Sequence, residues 1–164
     1  MDITVRPMTD DEYDDWQSSL SREYAEEQVA VGRWAAEGAV ERAEREKAEL
    51  LPDGLQTERM LLLTGVNESG ETVGRAWVAL DNPRKTPDCA YLFDFEIVAE
   101  HRGRGLGRHF LTAVEGAVFR AGLPELELNV FAHNRRAVAL YTAADYQVVT
   151  QQMRKKIDAV LFQN

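Results

Sequence analysis

The chain has one cysteine, Cys89, so no intrachain disulfide can form. A lone thiol suits a reducing compartment and is expected to pack as a small apolar group. No apolar run approaches the ~18 residues of a membrane span, and the start, MDITVRPMTDDEYDDW, lacks a basic region followed by an apolar stretch. A cytoplasmic protein without a membrane partner is expected. The three histidines, His101, His109 and His133, have no metal-ligand spacing, so no metal is expected. Positive charge is also scarce. The 164 residues carry a net −9, and residues 1–58 hold 16 acids against 6 bases, whereas 59–164 hold 12 against 13. Such a field disfavours general nucleic-acid binding.

What is present is an α+β pattern. A short strand over 3–8 precedes a helix from about Thr9 to Val29, capped by Thr9 or Asp10, with Tyr13, Trp16, Leu20 and Tyr24 in one stripe. A polar helix is predicted from about Trp34 to Leu50. Strands follow at 59–66 and 72–80 around the turn NESGE, then a loop at 81–88 and an aromatic strand at 89–98. A helix from about Gly105 to Ala121 turns Leu106, Phe110, Leu111, Val114, Ala117 and Val118 to a core. A strand at 125–131, a helix at 134–144 and one or two closing strands over 146–157 complete a single domain spanning 1–164.

The stretch between the aromatic strand and the apolar helix is unlike the rest. RGRGLGR (102–108) packs three glycines and three arginines into seven residues of an acidic protein. Glycines let the backbone approach a ligand closely, and a helix start offers unpaired, partly positive N–H groups. The turn suits phosphate oxygens, a pyrophosphate above all. No P-loop pattern G-x-x-x-x-G-K-[S/T] occurs, and Gly103, Gly105 and Gly107 give G-x-G-x-G rather than the dinucleotide G-x-G-x-x-G. A third pattern, [R/Q]-x-x-G-x-[G/A], is met by Arg102, Gly105 and Gly107. Some thirty residues on, HNRRAVALYTAADYQ carries N-x-x-A-x-x-L-Y at Asn134, Ala137, Leu140 and Tyr141, followed by an aromatic at Tyr146, with Asp145 where a glycine is usual.

Together the two motifs resemble those of the GNAT superfamily of acyl-CoA N-acyltransferases. The resemblance covers about residues 59–157 by element order and is specific at 95–110 and 129–146. It implies a mixed, mostly antiparallel sheet with splayed central strands, flanked by helices, here after two N-terminal helices. It implies acetyl-CoA as cosubstrate, held by Ile97, Val98, Arg102, Gly103, Arg104, Gly105, Leu106, Gly107, Arg108 and Asn134. The pantetheine arm would pair beside Ile97 and Val98. The partner would be a small-molecule or peptide amine acceptor, and the acidic N-terminal third favours a cationic one. A homodimer stays open.

Amide formation from a thioester requires the amine to lose a proton and the leaving thiolate to gain one. By the resemblance, the Tyr141 hydroxyl points at the coenzyme sulfur and serves as acid. Glu96, on the strand entering the turn, is the first candidate for base. Asp94 is a rival if alternation holds, and a bulge there would separate the two. Glu127 and Asn129 on the next strand are further rivals, although Asn129 cannot act as a base and could only hold a water or the substrate. Asn134 caps its own helix or bonds the cofactor arm. Cys89, far from the turn, is a poor acyl carrier, so direct transfer in a ternary complex is favoured. A non-catalytic acyl-CoA sensor on the same fold is the alternative.

Overall fold

The computed structural model describes residues 2–157. In chain order these form β1 (Thr4–Pro7), α1 (Asp10–Ala30), α2 (Ala39–Leu50), β2 (Met60–Val66), β3 (Thr72–Ala79), β4 (Cys89–Ile97), α3 (Leu106–Arg120), β5 (Glu125–Leu128) and α4 (Arg135–Ala143). The chain divides into two compact units, broken between Asn129 and Val130.

The first unit holds one sheet in the order β1-β2-β3-β4-β5. Neighbours are antiparallel up to β4, and β4 runs parallel to β5. The β4–β5 pairing covers only Cys89–Leu92 against Glu125–Leu128. Beyond it, Phe93–Ile97 of β4 have no β5 partner among the described residues. This is the expected mixed, mostly antiparallel sheet, with β5 at its edge covering only the first half of β4.

α1 starts at Thr9 because a capping box closes there. The Thr9 hydroxyl accepts from the Glu12 amide at 3.3 Å, and Glu12 Oε2 accepts from the Thr9 amide at 2.9 Å. Glu12 also takes a two-pronged bond from Arg6 at 2.8 Å and one from the buried Thr64 hydroxyl at 2.9 Å. Led by Arg6, these donors hold its carboxyl down at about 2. One side chain thus ties α1 to β1 and β2.

The core has two faces. On one, Trp16 of α1 meets Trp77 of β3 edge-on at 5.6 Å, with Met8, Tyr13, Leu51 and Leu62 packed around them. On the other lie Phe110, Leu111, Val114 and Val118 of α3, all buried. α3 approaches closely because β2 and β3 leave a notch. A Cβ on Gly65 would lie 2.6 Å from Phe110, and one on Gly74 would lie 2.6 Å from Phe110 and 2.5 Å from the Glu96 carbonyl. The Phe110 ring fills that notch and stacks on Phe95 at 4.8 Å. Since Phe110 lies one turn into α3, this contact fixes where the helix begins.

Three expectations are corrected. α2 begins at Ala39 rather than near Trp34, because Gly38 takes a left-handed φ of 72° at its N-cap. Trp34 instead packs on the small patch Ala25, Ala39 and Ala43. β5 stops at Leu128, short of residue 131. The closing strands expected over 146–157 do not form among the described residues, where Val148, Val149, Met153 and Ile157 are exposed. β-branched residues favour a strand only when a neighbouring strand receives them.

Candidate active site

The glycine-rich turn takes the backbone its sequence calls for. A short 3-10 turn, Ala99–His101, leads out of β4. Gly103 and Gly105 then adopt left-handed φ values of 77° and 76°. A Cβ at either would meet nothing within 4 Å, so backbone conformation rather than crowding selects glycine. Gly105 is the N-cap of α3 and supplies no side-chain cap. The first amides of α3 therefore face outward with partial positive charge. Arg104 and Arg108 are exposed and make no ion pair among the described residues.

Leading into this turn, β4 carries two carboxylates. The pairing of β3 with β4 shifts between Trp77–Asp94 and Val78–Leu92, which leaves Phe93 as a bulge. The bulge lies one residue before Asp94, so Asp94 and Glu96 remain two apart on regular strand and share a face. Phe93 stacks on Trp77 at 4.5 Å, and Asp94 Oδ2 accepts from the Trp16 indole at 2.9 Å, so both turn towards α1. Phe95 turns to α3 instead. Loss of hydration raises the Asp94 pKa to about 6, with the charges of Glu96 and Glu23 adding to it and the Trp16 bond and Arg75 opposing it. Glu96 Oε1 accepts from Arg102 Nη2 at 2.6 Å, and Arg102 Nε donates to the Ile97 carbonyl at 2.9 Å. A left-handed glycine turn on a helix start, fed by a strand bearing paired acids, offers an anion cradle beside a proton acceptor.

A profile of the acetyltransferase (GNAT) family matches residues 11–146. The chain belongs to the GNAT acetyltransferase family. It is 31% identical over 157 residues to the uncharacterised N-acetyltransferase YycN of Bacillus subtilis (strain 168), covering 96% of this chain and 100% of that one. It is 28% identical to a second such protein of the same strain, YdgE, over 96% and 99% of the two chains. The crystal structure of YycN superposes with a TM-score of 0.87 over 94% of this chain and 98% of its own.

The second GNAT motif lies in the second unit. Asn134 Oδ1 accepts from the Ala137 amide at 3.1 Å and caps α4. Asp145 takes φ 66°, the left-handed position where the family pattern has glycine, and the Tyr146 amide returns to the Tyr141 carbonyl at 3.0 Å. The departure in sequence leaves the turn intact. Tyr141 is half-buried, its ring 5.6 Å from that of Tyr146.

Several candidates fall elsewhere. Val98 has its amide bonded to the Val73 carbonyl at 3.1 Å, and its own carbonyl accepts from the His101 amide at 3.0 Å. Glu127 accepts from Asn82 Nδ2 at 3.0 Å and the Thr86 hydroxyl at 2.9 Å, and lies 3.4 Å from Arg84. It stitches loop 81–88 to β5. Asn129 is exposed past the end of β5, and Cys89 is buried at the opposite end of β4 from the turn. Trp16 was legible as core but not as the partner of Asp94. The one hint is that a buried indole N–H needs an acceptor.

Proposed function

We propose that this chain transfers an acetyl group from acetyl-CoA to an amine acceptor by direct attack in a ternary complex. The observation that carries the reading is the turn itself. Two left-handed glycines run into a helix without a side-chain cap, beside Arg104 and Arg108, which make no ion pair among the described residues, directly after the strand that bears Asp94 and Glu96. The coenzyme pyrophosphate sits on the amides of Gly103–Arg108, with Arg102, Arg104 and Arg108 around it. The pantetheine arm follows the free edge of β4 as an added strand, using the Ile97 carbonyl. Val98, with both backbone groups bonded, adds only its position. Asn134, besides capping α4, is assigned to the arm by the family motif.

The amine nitrogen attacks the thioester carbonyl. A C–N bond forms, the C–S bond breaks, Glu96 takes the amine proton and the Tyr141 hydroxyl gives its proton to the coenzyme thiolate. Asp94, beside Glu96 on the same face, holds the acceptor as a cation before it is deprotonated. Acid in the N-terminal third, including the Glu23 charge felt at Asp94, supports a cationic acceptor. Direct attack is supported by the burial of Cys89, the one thiol available as an acyl carrier.

Two measurements test this. Calorimetry should show coenzyme A binding that Gly105→Asp abolishes, because the variant adds strain and negative charge at the phosphates. Thiol release from acetyl-CoA across a panel of primary amines should then identify the acceptor. A protein that does not bind coenzyme A, or one that binds it and transfers to no amine, would overturn the proposal.

A further inference from the structure

We propose that Arg102 is a positioning residue that occupies Glu96 and the Ile97 carbonyl until coenzyme A arrives, so that cofactor binding must break this contact and releases both groups. This rests on the reading that the glycine-rich turn takes the coenzyme pyrophosphate.

Of the three turn arginines, Arg102 alone is engaged: Arg104 and Arg108 make no ion pair among the described residues. Its two partners are the groups the reaction needs. Nη2 donates to Glu96 Oε1 at 2.6 Å, which neutralises the carboxylate that is to take the amine proton. Nε donates to the Ile97 carbonyl at 2.9 Å, the acceptor at the end of β4 that the pantetheine arm is to use. One guanidinium therefore blocks the proton acceptor and the cofactor's edge together.

The Arg102 backbone is held. Its amide donates to the Ala99 carbonyl at 3.2 Å, within the 3-10 turn that leaves β4. Its side chain is not, since 48% of it is exposed, against 30% for Glu96. An ion pair exposed to this degree is weak, because water and salt screen it and two long side chains must be ordered to make it. A pyrophosphate on the adjoining amides offers several charged oxygens in a geometry that suits a guanidinium fork better than one exposed carboxylate does. Arg102 then turns to the phosphates without moving its Cα. Glu96 is left without its cation and the Ile97 carbonyl without its donor. An amine that enters before the cofactor meets a neutralised Glu96, and one that enters after it meets a free carboxylate.

The test needs only free coenzyme A and five proteins: the wild type, Glu96→Gln, Arg102→Gln, Arg102→Lys and the Glu96→Gln/Arg102→Gln double variant, each checked by thermal melt for folding. If coenzyme A must break the Arg102–Glu96 bond, Glu96→Gln tightens its dissociation constant about 1.5- to fivefold, a range set by what exposed pairs contribute. Arg102→Gln weakens binding. In the Arg102→Gln background, the Glu96 substitution changes nothing, because no competition is left to relieve. Arg102→Lys, which keeps the charge and loses the fork, falls between Arg102→Gln and the wild type. If Glu96→Gln tightens binding equally in both backgrounds, the effect is loss of a nearby negative charge and the proposal is overturned. If coenzyme A binds and Glu96→Gln leaves its affinity unchanged or weaker, the proposal is overturned while the acetyl-CoA reading stands. Absence of coenzyme A binding in all five proteins overturns both.

Discussion

Asp94→Asn should make the protein more stable at neutral pH and less active. The wild-type carboxyl has its pKa raised to about 6 from an ordinary 3.8, with loss of hydration as the leading cause. A raised folded-state value means that the ionised form is disfavoured by the fold. The stability tied to this group is fully present below pH 3.8 and is lost as pH rises through about 6. The gap corresponds, at ~1.36 kcal/mol per pKa unit, to a ceiling of about 3 kcal/mol, and partial exposure lowers the expected value to about 1–3 kcal/mol. Asparagine mimics the protonated acid, fits the same space and can still accept from the Trp16 indole. Urea melts of both proteins from pH 4 to pH 8 measure the difference. It should be near zero at pH 4, grow between pH 4 and 6, and level off above. At pH 7 the melting temperature should rise by about 3–10 °C for a chain of this size. A difference that is flat with pH, or an asparagine variant less stable at pH 7, would refute the assignment of Asp94 as a desolvated carboxylate. Acetyl transfer by the same variant should fall, the usual exchange of function for stability at a strained polar site.

Gly74→Ala should destabilise by about 2–3 kcal/mol in chemical denaturation, since its Cβ would lie 2.5 Å from a backbone carbonyl that cannot yield and 2.6 Å from Phe110. Gly116→Ala, in the interior of α3 where the nearest obstacle is the far end of Arg120 at 3.3 Å, should be neutral or stabilising by up to about 1 kcal/mol. Tyr141→Phe should lower kcat by roughly 10²-fold with the coenzyme dissociation constant unchanged, and an unaltered kcat would leave the hydroxyl a packing role.

Local chemistry made much of the fold legible. The glycines of the turn take the left-handed backbone that only glycine adopts freely, and Asp145 takes it at the one place where the family pattern differs. The α3 stripe is periodic enough to give both its buried face and its approximate start. What the sequence concealed depends on contacts between distant segments. Asp94 and Glu96 read the same whether the bulge falls on Phe93 or between them, and only pairing with Trp77 decides it. The bond from Trp16 to Asp94 spans 78 residues, and no periodicity in either segment announces it. Glu127 reads as a rival base until Asn82 and Thr86 are seen to claim its oxygen. The strand-like run at 146–157 shows the converse: composition alone does not provide a neighbour to pair with.

The stitching of Glu127 to loop 81–88 bears on how the sheet parts. β4 and β5 are joined over four residue pairs, and Phe93–Ile97 of β4 run on past β5 with only β3 beside them among the described residues. Asn82 and Thr86 of that loop anchor β5 through Glu127, at the end of the sheet remote from the glycine-rich turn. Where the edge of β4 becomes available to another backbone is therefore set by the loop that holds β5 and not by the turn itself.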